Sequence, residues 1–403
     1  MKYALLVGDG MGDLPIAELG GRTPLEAAAT PAMDDLARRG VLYTVATVPP
    51  GMLPGSDVAN LSLLGYQPRE LYSGRAPLEA ASMGIALAGN QLAFRCNLVT
   101  VRHEPGGEVR MLDYSAGHIS SAEAHQLIAA LADELSSAHV AFHPGVSYRH
   151  LLVTDGDAAG LATVPPHDHT GQLVTAHYDR YLRHPLFGPL LAAAERVLAE
   201  HPVNRARVAR DLPPANSIWL WGEGRPPSMV PLPEQFGISG ALISAVDLLK
   251  GIGVCAGLQV VNVPGATGYL DTNYEGKAAA ALAALEERDF VFVHVEAPDE
   301  ASHQGLLPEK MRAIEDFDAR IVGPIVAGLR ARGGDFRVMV AMDHYTPLAI
   351  RTHDPRPVPV LLFDSRWTEI HGQLAYSERH AALYGSFLAS GREMFTLFLE
   401  RDR

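Results

Sequence analysis

The chain has 403 residues, of which 47% are hydrophobic and 20% are charged, and 46 acidic against 33 basic side chains give a formal net charge of −13. This length is sufficient for a full hydrophobic core and favours two domains. The acidic balance, without a run of Lys and Arg, argues against nucleic acid or an anionic membrane surface as the main partner. An anionic substrate would therefore need cations placed locally.

The apolar runs and the cysteines narrow the class of protein further. No apolar run approaches the roughly 20 residues that span a bilayer. The chain enters a strand-like segment at once, which leaves no room for a signal peptide, so a cytoplasmic location is expected. Cys96 and Cys255 stand apart without a CxxC pattern, which predicts neither a disulfide framework nor a cysteine-based zinc site.

The first predicted strand is the apolar run YALLV at 3–7, and a helical pattern follows at 30–40. Asp9 comes directly after this strand, between Gly8 and Gly10. Functional groups in open α/β sheets collect at the carboxyl ends of the strands, so Asp9 is a candidate site residue. An aspartate after a strand is also a common turn or cap residue.

The next segment, GMLPGSDVANLSLLGY at 51–66, places Ser56 between a Pro-Gly turn and an amphipathic run. Ser56 has two interpretations. It can be a helix cap that accepts hydrogen bonds from the first turn, or it can be a nucleophile at a helix N-terminus, where backbone N–H groups stabilise anions. This stretch alone does not decide between them.

Residues 79–231 differ in character from the segments on either side. Two β-rich runs flank EPGG in NQLAFRCNLVTVRHEPGGEVRMLD, which predicts a hairpin, and Pro-rich loops follow. We interpret this region as an inserted, smaller α+β domain that binds substrate and acts as a lid.

The remaining chain, 232–403, again alternates apolar strands with helical patterns. The strands are found in GLQVVNVPG, DFVFVHVEAPD, FRVMVAMDH and VPVLLFD, and a long helical pattern covers 309–333. Strands that are apolar without clean alternation are typical of a parallel sheet covered on both faces. This pattern therefore predicts that residues 1–78 and 232–403 form one α/β domain with a doubly wound sheet.

Two later strand ends and one loop carry carboxylates and imidazoles. Asp299 and His303 follow one strand at spacing i, i+4, which directs both side chains to one side of a helix. Asp343 and His344 are adjacent at another strand end, and His353 lies in the loop before a further strand. Each is weak evidence alone. Together with Asp9 they form a mixed N/O ligand set suited to divalent ions, numerous enough for the two metals of a phosphoryl-transfer site.

Ordered motifs over nearly the whole chain extend this interpretation. They are LVGDGMGD, GGRTPLEAA, PGSDVANLSLLGY, YSGRAPLEA, FRCN, VPGATGYLDTNYEGK, HVEAPDEASHQG and MDHYTP. In this order they resemble the cofactor-independent phosphoglycerate mutases of the archaeal type, which belong to the alkaline phosphatase superfamily. Within that family the likeness is greatest to a bacterial branch that is also labelled as a proposed homoserine kinase. The resemblance implies an alkaline-phosphatase-like sheet core for the predicted α/β domain.

The resemblance also implies roles for single residues. Asp299, His303 and His353 would bind one divalent metal, and Asp9, Asp343 and His344 would bind a second. The ions would be Mn, Zn, Mg or Co. Ser56 matches the family's nucleophile and would also contact the second metal. The last motif reads THDPRPVP, in which Asp354 and Arg356 do not match the family pattern.

The resemblance further implies conversion of 3-phosphoglycerate to 2-phosphoglycerate through a phosphoserine on Ser56. A metal ion can replace the general base that Ser56 lacks nearby in sequence. The candidates for binding the anionic substrate are Arg95, Arg149, Arg225 and Lys250, the last two also as catalytic residues. Asp168 is the candidate proton shuttle. Each can equally be a surface residue, and Lys250 can be a cation at a helix end.

Several alternatives remain open. A metal-dependent phosphatase, or a phosphotransferase on another small phosphorylated metabolite, would use the same metals. The kinase label has no supporting P-loop or Rossmann pattern. A sulfatase would need a Cys or Ser in a C/S-x-P-x-R context, which GSDVAN lacks. A non-catalytic metal-binding scaffold would have no need for Ser56.

Overall fold

The computed structural model describes residues 1–155 and 161–400. In chain order, the strands are β1 (Lys2–Gly8), β2 (Val41–Val45), β3 (Gln91–His103), β4 (Val109–Asp113), β5 (Val140–Val146), β6 (Arg149–Asp155), β7 (Ser217–Gly224), β8 (Gly240–Ile243), β9 (Gln259–Val260), β10 (Phe290–Val295), β11 (Phe336–Ala341), β12 (Val358–Asp364) and β13 (Ser386–Leu388).

The α-helices are α1 (Pro24–Ala27), α2 (Pro31–Arg39), α3 (Ser56–Leu63), α4 (Pro68–Leu71), α5 (Ala76–Ser82), α6 (Ser121–Leu135), α7 (Thr175–Arg183), α8 (Phe187–Glu200), α9 (Pro202–Val208), α10 (Leu232–Phe236), α11 (Asp247–Cys255), α12 (Tyr274–Glu287), α13 (Ala297–Gln304), α14 (Leu307–Phe317), α15 (Gly323–Arg332), α16 (Glu378–Tyr384) and α17 (Gly391–Leu399). Short 3-10 helices lie at Ala17–Leu19 and Pro166–His169.

The chain forms two compact units. The first combines Met1–Tyr72 with the segment that begins at Ser228, and the second is Ser73–Pro227. The first unit is discontinuous in sequence and is built around a large mixed sheet, whereas the second is continuous and antiparallel. The role predicted for the inserted segment, as a substrate-binding lid, stays a prediction.

The sheet of the first unit has the strand order β13-β2-β12-β11-β1-β10-β8-β9. Its central strands are parallel, with Gly8 of β1 opposite Val295 of β10 and Val7 opposite Ala341 of β11. The carboxyl ends of β1, β10 and β11 therefore lie side by side. Strands β10, β11 and β12 are buried along their whole length, as expected for a sheet covered on both faces.

One strand departs from the predicted parallel arrangement. β12 runs antiparallel to both β11 and β2, with Val360 opposite Ala341 and Val358 opposite Val45. The amino end of β12 therefore lies at the same edge as the carboxyl ends of β11 and β2. This reversal brings the loop before β12 and the loop after β2 to the edge where the central parallel strands end.

The long helical pattern predicted over 309–333 is helical throughout but not uniform. A π-helical turn, Asp318–Val322, separates α14 from α15. Pro324 lies in the first turn of α15 and lacks the N–H that a continuous α-helix would use. Such local widening is a known way to accommodate an interruption in the ladder of hydrogen bonds.

The second unit contains an antiparallel sheet in the order β4-β3-β6-β5, with β7 also paired to β3. The predicted hairpin is confirmed, since β3 and β4 pair from Thr100 opposite Asp113 to His103 opposite Val109. Its turn contains Gly106 and Gly107, both with positive φ, which explains the EPGG signal. Cys96 and Cys255 are free thiols.

Residues 1–155 and 161–400 contain no helix that combines the length and the apolar character needed to cross a membrane.

A buried ion pair joins the C-terminal helix to the sheet, at the end opposite the strand ends described above. Arg337 of β11 donates from Nε to Asp364 Oδ2 at 2.6 Å. Its Nη1 donates to the carbonyl oxygens of Leu397 and Phe398, both at 3.1 Å. Both charged side chains are almost fully buried. Asp364 also pairs with Arg366 at 2.8 Å. Loss of Arg337 would therefore remove one of two cations from a buried carboxylate and also leave two carbonyl oxygens of α17 without this donor.

We therefore expect Arg337→Met to lower the free energy of unfolding by about 3 kcal/mol, measured by urea titration with far-ultraviolet circular dichroism. Arg332→Met removes an arginine that is exposed on α15 and should change it by less than about 0.5 kcal/mol. Equal stability of the two variants would contradict this account of the ion pair.

Candidate functional site

The site lies at the edge of the first unit's sheet where β1, β10 and β11 end. Asp9 follows β1 and is 1% exposed, and its backbone N–H donates to Val295 O at 2.9 Å. Gly10 has φ +60° and donates its N–H to Asp343 Oδ1 at 3.1 Å. A Cβ on Gly10 would lie 2.4 Å from Asp299 Oδ1. Glycine at this position therefore lets three carboxylates converge on one turn.

Asp299 and His303 lie one turn apart on α13, directly after β10. His303 Nε2 is 3.1 Å from Asp299 Oδ2, and His353 Nε2 is 3.7 Å from the same oxygen. The Nε2 atoms of the two histidines are themselves 3.1 Å apart. His353 reaches this position because antiparallel β12 places the preceding loop at this edge.

Asp343 and His344 follow β11 and are fully buried. His344 Nε2 lies 3.3 Å from Asp343 Oδ2 and 3.6 Å from Asp9 Oδ1. Ser56 Oγ is 3.3 Å from the same His344 nitrogen. Thr47, in the loop after β2 that leads to α3, donates to the carbonyl oxygen of Asp343 at 2.6 Å.

The cap interpretation of Ser56 is wrong. Gly55 is the N-cap residue of α3, and Ser56 is the first helical residue. Its side chain therefore does not take the position of a capping side chain, and Oγ points to His344 instead. Asn60, one turn further along α3, donates from Nδ2 to Ser56 O at 2.8 Å and to Asp343 Oδ2 at 2.9 Å. The helix is thus fixed to the loop after β11.

His294 belongs to the cluster and was not found from the sequence. It lies on β10, is fully buried, and its Nε2 is 2.9 Å from Asp9 Oδ2. Its Nδ1 is 3.3 Å from Ser244 Oγ. The one available signal was a histidine inside the otherwise apolar strand FVFVHV. The direction of its side chain depends on the strand register, which local sequence does not specify.

Two groups of side chains can each converge on one metal ion, with their ligand atoms within 4.8 Å of one another. They are Asp299, His344 and His353, and Asp9, His294 and Asp343. This grouping differs from the one that the resemblance implies, in which His303 joins the first set and His344 the second. His344 borders both groups, and His303 contacts Asp299 and His353. All seven predicted metal-site residues, including Ser56, lie in this one cluster.

The electrostatics of the cluster show a local excess of negative charge. Burial, with the nearby carboxylates of Asp343 and Asp299, raises the pKa of Asp9 well above its ordinary value. The hydrogen bond to Asp299 raises the pKa of His303 to about 9. Although burial opposes it, hydrogen bonding to His303 and His353 keeps the pKa of Asp299 well below its ordinary value. The site therefore favours added positive charge.

The unmatched residues of the THDPRPVP motif form a local pair. Arg356 donates from Nε to Asp354 Oδ1 at 2.9 Å and from Nη2 to Oδ2 at 3.0 Å. Its guanidinium also lies 5.2 Å from the ring centroid of Tyr345. This pair shapes the loop that carries His353.

Two of the predicted substrate-binding arginines lie on the sheet of the second unit. Arg95 on β3 is mostly buried, forms an ion pair with Glu79 at 3.1 Å and lies 4.1 Å from the Trp221 ring centroid. Burial and the charges of Arg75 and Arg149 hold the pKa of Arg95 below its ordinary value, against the opposing effect of Glu79. Arg149, at the start of β6, is exposed beside Tyr148.

The other three predicted residues are more dispersed. Asp168 is largely exposed on the 3-10 helix Pro166–His169, 3.6 Å from His167 Nε2. Arg225 follows β7 and donates to Asn90 O at 3.2 Å. Lys250 lies in the fourth position of α11 and pairs with Asp247 at 3.1 Å. The interpretation of Lys250 as a cation at the helix C-terminus is therefore wrong.

The structure is an α/β protein whose first unit is interrupted in sequence by a second unit with an antiparallel sheet and helices, which confirms the predicted α/β class with an inserted α+β segment. A solved cofactor-independent phosphoglycerate mutase from Thermoplasma acidophilum is similar over 99% of both chains, with a TM-score of 0.66 and 26% sequence identity. The sequence profile of the family described as 2,3-bisphosphoglycerate-independent phosphoglycerate mutase matches residues 37–204.

Relatives that are similar over the whole chain agree with this match. A probable 2,3-bisphosphoglycerate-independent phosphoglycerate mutase from Geobacter sulfurreducens is 51% identical over 100% of both chains. A 2,3-bisphosphoglycerate-independent phosphoglycerate mutase from Methanosarcina acetivorans is 56% identical over 90% of both. The chain belongs to the family of 2,3-bisphosphoglycerate-independent phosphoglycerate mutases. The prediction of an enzyme of the isomerase class is thereby confirmed.

The crowding of carboxylates predicts that Asp9→Asn stabilises the protein in the presence of EDTA at pH 7, by about 1–3 kcal/mol. The pKa of Asp9 is raised in the folded state, so ionisation of Asp9 opposes folding. This cost is absent below its ordinary value of 3.8 and grows as the pH rises above it. The advantage of Asp9→Asn should therefore shrink at acid pH. Thermal unfolding between pH 4 and pH 8 measures it.

Asp335→Asn, at an exposed aspartate of the same unit, is the matched control and should show no comparable gain. An Asp9→Asn variant that is less stable than the wild type in EDTA at pH 7 would contradict the account of Asp9.

Proposed function

We propose that this chain interconverts 3-phosphoglycerate and 2-phosphoglycerate in a reaction that depends on two divalent metal ions and passes through a phosphoserine on Ser56. The observation that carries the proposal is the position of Ser56 Oγ, 3.3 Å from His344 Nε2 and beside two converging carboxylate–histidine groups. The names of the relatives support the same reaction.

The hydrogen bonds of the histidines support the metal ions. His303 Nδ1 lies 2.9 Å from Arg351 O, and His353 Nδ1 lies 3.3 Å from Pro54 O. A carbonyl oxygen only accepts, so each Nδ1 is the donor and Nε2 is the atom of each ring that is left for a ligand. The two Nε2 atoms are 3.1 Å apart and both face Asp299 Oδ2. Without a metal, the raised pKa of His303 keeps a proton at this position. A divalent cation would replace that proton, and the carbonyls orient the rings as is usual for metal-binding histidines.

The carboxylates give the second line of support. Within the described residues, Asp9 Oδ1 is a buried oxygen without a hydrogen-bond partner. Such an atom is costly unless a cation compensates it. Mixed imidazole and carboxylate ligands suit Mn²⁺, Zn²⁺ and related ions. When bound, two such ions supply the positive charge that activates a hydroxyl and stabilises a transferring phosphoryl group.

Ser56 is suited to be the nucleophile. It lies in the first turn of α3, where backbone N–H groups favour an anion. Ser56 Oγ loses its proton as it attacks the phosphorus of 3-phosphoglycerate. A new O–P bond forms, the bond from phosphorus to the 3-oxygen breaks, and the 3-oxygen takes up a proton. Glycerate then reorients, its 2-oxygen gives up a proton and bonds to the phosphorus, and the O–P bond to Ser56 breaks as Ser56 Oγ regains a proton. Asn60 holds the backbone of Ser56 against Asp343 during both transfers.

We propose that the second unit binds the substrate anion and excludes water. Arg95 and Arg149 contribute positive charge, and His167 and Trp221 line the same region of the unit. Arginine is suited to this because its planar donors match carboxylate and phosphate groups. Arg225 and Lys250 are further candidates for binding the substrate and for catalysis. Asp168, exposed beside His167, is the proposed proton shuttle to glycerate, which gives a proton to the departing 3-oxygen and takes one from the 2-hydroxyl.

Phosphorus NMR tests the reaction directly. The protein with Mn²⁺ should convert 3-phosphoglycerate to 2-phosphoglycerate without added 2,3-bisphosphoglycerate, and EDTA should abolish the conversion. Ser56→Ala should lower the rate by at least about 10³-fold, as loss of a nucleophile does. Mass spectrometry of quenched wild-type protein should place a phosphoryl group on Ser56.

Ser386→Ala, at an exposed serine on β13, should retain wild-type turnover. Release of free phosphate alone would refute the mutase and favour a phosphatase. Normal turnover by Ser56→Ala would remove Ser56 from the mechanism, and ATP-dependent formation of phosphohomoserine would support the kinase activity instead.

Substrate binding by the second unit gives a separate prediction. Arg149→Met should raise the KM for 3-phosphoglycerate about tenfold or more, because a charge-assisted hydrogen bond contributes about 1.5–3 kcal/mol. Steady-state kinetics at saturating Mn²⁺ measure this. Arg102→Met is the control, since Arg102 is an exposed arginine of the same sheet that pairs with Glu104. Equal KM values for the two variants would exclude Arg149 from binding.

A further inference from the structure

Lys310 is a fully buried cation in the first unit, on α14. Its Nζ donates to Gly12 O at 3.0 Å, to Asp13 Oδ2 at 2.8 Å and to Thr346 O at 3.0 Å. An ammonium group has three donors, so all of them are used. The side chain is 0% exposed. Lys310 is therefore not positioned to reach a substrate in solution, and it acts only through the groups that it holds.

These groups belong to the two loops that carry most of the candidate ligands. Gly12 and Asp13 lie in the loop after β1, a few residues beyond Asp9, and Thr346 lies in the loop after β11, shortly beyond Asp343. Tyr345 forms bridges with Met11 and Gly12, so the two loops also contact each other directly. Lys310 thus joins the two loops at one point.

Thr346 carries this connection into the cluster. Its hydroxyl donates to Asp299 Oδ1 at 2.5 Å and lies 3.2 Å from His344 Nδ1. The carbonyl of the same residue is held by Lys310. A shift of Thr346 would therefore change the orientation of one carboxylate and one imidazole, which belong to the same candidate metal group.

The partners of Lys310 are themselves fixed. Asp13 Oδ2 also accepts from Leu348 N at 3.1 Å, and Asp13 N donates to Glu378 Oε1 at 3.1 Å. Burial of an ammonium group is costly, and a well-packed apolar side chain is often at least as stabilising. The use of a lysine here is therefore better explained by the geometry that it imposes than by stability.

We propose that Lys310 is a positioning residue that holds the loops after β1 and β11 in the register required for divalent metal binding. The inference rests on the proposed function, in which those loops bind the metal ions. It predicts that loss of Lys310 weakens metal binding beyond any general loss of stability.

The test measures binding of Mn²⁺ alone to chelator-treated full-length protein, by electron paramagnetic resonance of the free ion. Lys310→Met should weaken the affinity for Mn²⁺ at least tenfold. Arg337→Met is the matched control, because Arg337 is also a buried cation that pairs with a carboxylate and holds two carbonyls, but at the far end of β11. It should lower the melting temperature and leave the Mn²⁺ affinity within twofold of the wild type.

Kinetics supply a second readout. In Lys310→Met the Mn²⁺ concentration for half-maximal activity should rise, while the KM for 3-phosphoglycerate at saturating Mn²⁺ stays within twofold of the wild type. If Lys310→Met does not fold, Asp13→Asn weakens the same connection and should show the same loss of Mn²⁺ affinity. Wild-type affinity in the folded variant, or an equal loss in Arg337→Met, would overturn the proposal.

The measurements separate this inference from the proposed function. Mn²⁺ binding is measured without any phosphorylated compound, so an inactive wild type that binds Mn²⁺ refutes the mutase and leaves the role of Lys310 testable. A wild type that does not bind Mn²⁺ overturns the metal sites and the role of Lys310 together.

Discussion

The convergence of three buried carboxylates at one edge of a sheet is the constraint on which the rest of the first unit depends. Asp9, Asp299 and Asp343 each follow a strand end, and such groups repel one another where water is scarce. Hydrogen-bond donors compensate part of this negative charge. They are the backbone N–H of Gly10, the side-chain amide of Asn60 and the imidazoles of His303 and His294. One oxygen, Asp9 Oδ1, still has no hydrogen-bond partner among the described residues. An arrangement so rich in buried acceptors favours added positive charge, which is why metal ions are central to the proposed function.

The same physical problem is solved differently on the two sides of the ligand loops. Toward the cluster, carboxylate oxygens and imidazole nitrogens converge, as in a site that receives a cation. Behind the loops, Lys310 supplies a cation that belongs to the chain, with all three donors used. Because this charge is part of the protein, it can hold the two loops in place and is not exchanged with ions in solution. The proposed division is therefore between a fixed cation that orders the loops and removable cations that perform the chemistry.

In the proposed reaction, the second unit supplies local positive charge for the substrate. Two of its arginines lie near aromatic rings, Arg95 beside Trp221 and Arg149 beside Tyr148. In a chain with a net charge of −13, local cations of this kind are needed to attract an anionic substrate. The two units thus have distinct electrostatic tasks in the proposed reaction.

Local periodicity and turn residues are enough to predict the alternation of strands and helices, the helix that begins at Ser56, and the strand ends that carry Asp9, Asp299 and Asp343. The direction of β12, which brings His353 to the site, and the register that points His294 toward Asp9 are visible only in the folded chain. The same is true of the position of Ser56 inside its helix and of His344 at the border of both candidate metal groups. These outcomes depend on pairing between segments far apart in the chain. The free energy of such pairing comes from contacts that no short stretch of sequence contains.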